Sequence, residues 1–193
     1  MVTYTYMRSR DNNPLSRYLD PFALDLDWGP SSGERRHAVV ASGSVLLPYD
    51  LTLGAVWSFR SQLPWSATAG RDLNADGFNT DLVPGTSRNE GSRDLSLDAV
   101  NTWRAANGRG AIPESQIDSS RINLLDLRAS KAIRFGGTAK VDLMAQVFNL
   151  LNTRNLQGQY GGGRVGNALS DAFGRIQTAR PGLQGEFAVR FAW

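Results

Sequence analysis

Apolar and polar residues alternate along the last stretch of the chain, 183–193. Leu183, Gly185, Phe187, Val189, Phe191 and Trp193 fall on one face, and Gln184, Glu186, Ala188, Arg190 and Ala192 on the other. A period of two is the period of a strand. The pattern recurs five times upstream. Val2, Tyr4 and Tyr6 share a face near the N-terminus. Over 37–47, Val39, Ala41, Gly43, Val45 and Leu47 share one, although Val40 and Leu46 blur the opposite side. Leu51, Leu53, Ala55, Trp57 and Phe59 alternate cleanly with Thr52, Gly54, Val56, Ser58 and Arg60. Over 121–135, Leu125, Leu127, Ala129, Ile133 and Phe135 oppose Asp126, Arg128, Ser130 and Arg134. Over 138–149, Ala139, Val141, Leu143, Ala145 and Val147 oppose Lys140, Asp142, Met144, Gln146 and Phe148. The chain therefore predicts about six strands.

The connections alternate too. Pro48-Tyr49-Asp50 is a tight turn that makes the flanking strands an antiparallel hairpin, and Gly136-Gly137 signals a second hairpin. The other connections, 8–34, 63–120 and 150–182, are long and rich in Gly, Asn, Asp and Pro. Within them the spacing predicts one short helix from Ser96 to Asn107, ended by Gly108. Long loops thus lie at one end of the sheet and tight turns at the other. Structureless loops of this length count against a compact soluble domain, but they are ordinary on the extracellular side of an outer-membrane barrel. The expected fold is all-β: an antiparallel up-and-down transmembrane β-barrel segment, apolar toward lipid and charged toward a lumen. The competing reading is a soluble, secreted β-sandwich that binds calcium or glycan. It requires a second sheet over the apolar face, and the sequence supplies none.

Composition narrows the function. Mean hydropathy is −0.32, and no run approaches the ~18 apolar residues of a membrane-spanning helix, which leaves a barrel open. The chain has no Cys, so disulfides, zinc–thiolate sites and cysteine nucleophiles are excluded. Its one His excludes multi-histidine metal sites. A Ser-His-Asp hydrolase would have to use His37, with Ser42 or Ser44 close in sequence, and no motif supports one. An enzyme is not expected. The net charge is +3, but Arg and Asp are scattered rather than clustered, so nucleic acid is not an expected partner. The first residues, 1–7, lack the basic segment of a signal peptide.

Four groups of residues are candidates for chemistry. Asp72-x-Asn74-x-Asp76-Gly77 matches the opening of a calcium loop, with Asn79 and Asp81 as further oxygens. Val83 stands where a bidentate Glu belongs, and a turn-rich polar loop would look the same. Glu34, Arg35, Arg36 and His37, where a loop meets a strand, are candidates for contact with a ligand or lipopolysaccharide phosphate, or for charges at a barrel rim. Asp126, Arg128, Arg134, Lys140, Asp142, Glu186 and Arg190 are expected to face the lumen. Trp57, Phe59, Trp65, Phe187, Phe191 and Trp193 are expected to form interfacial aromatic girdles.

Phe148-Asn149-Leu150-Leu151-Asn152, preceded by Asp126-Leu127-Arg128-Ala129-Ser130-Lys131 and followed by the aromatic C-terminus, resembles the C-terminal end of TonB-dependent outer-membrane receptors. The phrases 35–43 and 70–77 resemble the Oar-like transporters among them. The resemblance implies a barrel of about 22 strands around a plug, energised by TonB through that plug. Such a barrel takes up a ligand across a Gram-negative outer membrane. About six strands cannot close a barrel, for which about eight is the practical minimum. Residues 1–193 are therefore expected to be the C-terminal part of such a receptor, without plug or signal peptide. The implied partners are outer-membrane lipid, the remaining barrel and plug, and the barrel-assembly machinery, which would read the terminal aromatic strand. No cofactor is implied beyond possible calcium.

Overall fold

The computed structural model describes residues 1–12, 18–91, 93–136, 139–157 and 163–193. In chain order the strands are β1 (Val2–Tyr6), β2 (Arg10–Asp11), β3 (Gly29–Pro30), β4 (His37–Leu47), β5 (Leu51–Arg60), β6 (Ile122–Arg134), β7 (Lys140–Phe148) and β8 (Gln184–Ala192). Among the described residues, one α-helix, α1 (Leu97–Ala106), lies between β5 and β6. It begins where Ser96 Oγ accepts the Ala99 N–H at 3.2 Å, an N-cap that satisfies an otherwise orphaned donor. All six strands expected from the alternation form, and the helix falls on its expected span. The second half of the Gly136-Gly137 turn, with Thr138, lies outside the described residues.

The six long strands make one antiparallel sheet in the order β1-β4-β5-β6-β7-β8, while β2 and β3 form a two-residue ladder in the first loop. The sheet is not closed: β1 and β8 are its edges. Its register keeps the alternation in phase. Gly43, Ala55, Leu127, Val147 and Gly185 lie in one cross-strand row, and Val45, Leu53, Ala129, Ala145 and Phe187 in the next. One face is thereby apolar across the whole sheet. On the other face Ser44, Gly54, Arg128, Gln146 and Glu186 share a row, and Asp142 stands opposite Arg190. A one-residue slip would exchange these two sets, which is why register is strongly specified here.

The buried core is not under the sheet. Among the described residues twelve hydrophobic side chains are buried, and of these only Ile122 belongs to a strand. Trp65, Ala67, Val83, Val100, Ile112, Ala168 and Phe173 pack together, with Leu95, Leu97, Trp103 and Ile117 around them. These residues come from the β5–β6 and β7–β8 connections, which fold into a cap at one end of the sheet. As expected, the stretch 63–120 carries little regular structure besides α1, but it is packed around a buried core, which the sequence reading did not anticipate. Thr68 ties its two halves together, donating its N–H to Gly166 O while its carbonyl accepts the Ala168 N–H, both at 2.8 Å. Gly91 is required where it lies, because a Cβ there would stand 2.3 Å from the Trp65 ring.

Candidate functional site: a two-faced sheet under a folded cap

The aromatic residues of the apolar face gather at its two ends. At the cap end, Tyr4, Tyr6, Trp57 and Phe59 lie near the strand termini. Trp57 and Phe59 are neighbours, with ring centroids 6.5 Å apart. The Trp57 indole donates to Asn123 Oδ1 at 2.7 Å, which satisfies its one polar atom. At the tight-turn end stand Tyr49, Phe135, Phe191 and Trp193, all exposed. Between the two belts the face is aliphatic apart from Lys131 and Phe187. Phe187, opposite Ala145, is thus a correction to the girdle expectation, because its register places it mid-band. Trp65 is a correction to the girdle expectation: it is buried in the cap, 5.5 Å from Phe173, with the Arg164 guanidinium 4.6 Å above its ring.

The charged face receives the residues expected there. Asp126, Arg128, Arg134, Lys140, Asp142, Glu186 and Arg190 all share it by register. Lys140 and Asp142 pair at 3.1 Å, and Arg134 reaches Asp50 of the tight turn at 3.3 Å. At the cap end, Asp126, Asn149, Arg180, Gln184 and Glu186, with Leu124 and Phe148, line a recess of about 310 Å3.

The segment 148–152 closes the join between sheet and cap. Asn149 and Asn152 adopt positive φ, 50° and 47°, in the left-handed region that Asn tolerates better than most residues. The Asn149 N–H donates to Asp126 Oδ1 at 2.9 Å, and its amide holds the carbonyl of Thr153 at 3.1 Å and that of Pro181 at 3.4 Å. Asn152 Oδ1 accepts the Leu183 N–H at 3.1 Å, just before β8 begins. Asn155 Oδ1 accepts the Asn123 N–H at 2.6 Å. Side-chain amides, those of Asn149 and Asn155 buried, thus clasp β6, the exit of β7 and the entry of β8 together.

Buried charges stitch the cap. Arg104, on α1, is 2 % exposed and donates to the carbonyls of Gly110 at 2.7 Å, Ser170 at 2.8 Å and Ala168. Glu34 is also buried; it accepts the Ser9 N–H at 2.8 Å and pairs with Arg93 at 2.6 Å. Arg35 donates to the carbonyls of Ser61 and Ser120. Burial, with Arg60 and Arg180 adding repulsion, lowers the Arg35 pKa to about 10. Glu34 and Arg35 are therefore internal ties between loops, which corrects the expectation of ligand contacts or rim charges. His37 instead joins the cap-end aromatics on the apolar face. The Tyr4 hydroxyl lies 2.9 Å from its Nδ1, and the Tyr6 ring centroid is 5.5 Å from its own.

A family model for the outer membrane beta barrel domain matches residues 1–190. The chain belongs to that family. No curated protein and no solved structure matches it. Membership in the outer membrane beta barrel domain family points to the outer membrane. It also gives the two faces their meaning. A barrel wall carries an outward apolar band between aromatic girdles and a polar inner surface, with short turns at the periplasmic side and long loops outside. For an outer membrane beta barrel domain, the cap described above is then the extracellular side.

Two other expectations acquire geometry. Ser42 and Ser44 lie on the face opposite His37 by parity along β4, so the sheet does not bring them together. In the Asp72 loop, Asp72 Oδ1 and Oδ2 accept the N–H groups of Asp76 and Gly77 at 3.2 and 2.8 Å, and Asp76 Oδ1 accepts that of Phe78 at 2.8 Å. Val83, in the position of the missing Glu, is fully buried in the cap core. Among the described residues, no group of three His, Cys, Asp or Glu is placed to hold a metal ion. The cap itself was missed by sequence reasoning, yet one signal was available. Leu63, Trp65, Ala67 and Ala69 alternate through its first turn, and all four are buried.

Proposed function

We propose that the chain is the C-terminal portion of the wall of a TonB-dependent receptor of the Oar-like kind, non-enzymatic, which takes up a ligand across the outer membrane. The observation that carries this reading is the contrast between a finished cap and an unfinished sheet. The cap buries its own core, whereas the sheet ends at two open edges and leaves an apolar face uncovered. Such a sheet calls for further strands on either side and for lipid outside. The charged face, with the recess at Asp126, Arg180 and Glu186, would line the lumen and meet a plug. The sequence phrases 126–131 and 148–152 support the same assignment through their resemblance to the ends of these receptors.

The test is uptake. Cells expressing the protein are supplied with labelled ferric chelates, vitamins, oligosaccharides and peptides, and accumulation is compared with and without TonB. TonB-dependent accumulation of one class is expected; accumulation that ignores TonB for every class refutes the reading. Assembly is tested separately. Deleting Phe191 to Trp193 should lower the amount of folded protein in the outer membrane several-fold, because the machinery would read that terminal aromatic strand. An unchanged yield would remove that role.

A further inference from the structure

Among the described strand residues, the apolar face holds one Lys, Arg, Asp or Glu: Lys131. It occupies a row with Leu47, Leu51 and Leu143, at the end of the β4–β5 hairpin. Its ammonium lies 6.0 Å from the centroid of the exposed Tyr49 ring, in the tight turn. The acidic group closest in sequence to Tyr49, Asp50, is paired with Arg134. Beside Lys131 in the adjacent row, about 7 Å along β6, the face is hollowed. Gly43, Val45, Leu53, Ala55, Ala129 and Ala145 line a shallow apolar groove of about 560 Å3. Leu127 and Val147 complete its lining, and the hollow lies where Gly43, Ala55, Ala129 and Ala145 stand among these larger side chains.

We propose that this hollow and its cation bind one anionic glycerophospholipid, with the phosphate at Lys131 and Tyr49 and an acyl chain in the groove. A lone ammonium one row from an apolar groove complements a molecule that is anionic at one end and hydrocarbon along its length. The position also fits: the tight turns mark the periplasmic interface, where headgroups lie, and the groove runs from there toward the bilayer centre. A lysine that merely reached for water would show no preference among headgroups. A bound phosphate beside a basic residue is worth roughly a fivefold preference over an uncharged headgroup. The inference rests on the lipid-facing assignment of this face and is independent of transport.

The experiment uses tryptophan quenching in the full chain. A reporter, Leu143→Trp, is placed beside Lys131 in a Trp57→Phe, Trp193→Phe background and reconstituted in phosphatidylcholine vesicles. Brominated phosphatidylglycerol and brominated phosphatidylcholine are then titrated in parallel. Phosphatidylglycerol should quench at about fivefold lower mole fraction. Lys131→Gln should abolish the preference, Lys131→Arg should keep it, and Ala145→Leu should weaken it by filling the groove. Equal quenching by both lipids, or a preference that survives Lys131→Gln, overturns the site while leaving the face against lipid. No quenching by either lipid overturns the lipid-facing assignment with it.

Discussion

In the cap, Val83, Val100 and Phe173 lose all contact with solvent, whereas in the sheet Phe187 remains 70 % exposed. Both regions are built from the same kinds of residue. The difference lies in what closes over them. The cap's apolar atoms find partners within the chain, and its backbone groups are met by side chains such as Arg104 and Asn149. The sheet satisfies its backbone ladder across its own strands but leaves its apolar side chains for a solvent other than water. Burial within a chain is thus a poor measure of how well a barrel wall is specified. Register and alternation are better ones.

Four substitutions sharpen this contrast, and each asks which region responds. The largest effect is expected from Phe173→Ala, which empties the centre of the cap at a cost of about 3–5 kcal/mol. Proteolysis of the 61–121 connection should accelerate while the strands stay protected; parallel loss of both would show that cap and sheet are one cooperative unit. Leu127→Arg, mid-band on the apolar face, should cost about 2–4 kcal/mol in a bilayer and leave the cap's protection unchanged. A variant that folds into lipid as well as the parent would contradict the assignment of that face. Asn149→Ala removes the clasp and takes a partner from the Pro181 carbonyl and the Thr153 N–H, at ~1 kcal/mol for each bond lost. Hydrogen exchange should rise first along β8.

The smallest effect concerns Asp27, in the first connection. Burial raises its pKa above the ordinary 3.8, against the Leu19 N–H and Arg88, which lower it. A raised pKa means that the folded state holds the proton more tightly. Its contribution to stability is therefore full below 3.8 and is lost as pH rises through the folded value. Replacing the carboxyl by an amide, Asp27→Asn, should remove this pH-dependent part, seen as a flatter profile of cap stability against pH. An unchanged profile would place the titration elsewhere.

The sheet was legible because its information is periodic. Strands 37–47 and 51–60 could be bounded to the residue, since alternation, the Pro48-Tyr49-Asp50 turn and the loop composition agree. Helix α1 was legible from Ser96 and Gly108 at its ends. The cap was not, because its core is assembled from residues far apart and without period: Val83, Val100 and Phe173 meet only in three dimensions. Glu34 and Arg35 misled for a related reason, since a charged tetrad at a loop end reads as surface until Arg93, Ser61 and Ser120 are brought beside it. The phrase at 148–152 was recognised as a resemblance. Its role became plain only when Asn149 was seen to reach Pro181, across the whole β7–β8 connection.

The contact of Arg104 with Ala168 spans 64 residues of chain, and this sets an order of events in biogenesis. The first hairpin, β4–β5, closes over three residues and can form as soon as it is made. The cap cannot finish until the last connection has crossed the membrane, because two of the carbonyls that Arg104 requires belong to it. Closing so large a loop is slow relative to hairpin formation. Strand pairing should therefore precede cap consolidation, with the 61–121 segment remaining cleavable at the cell surface until β8 is in place. Pulse-labelled cells treated with external protease at intervals would display that delay.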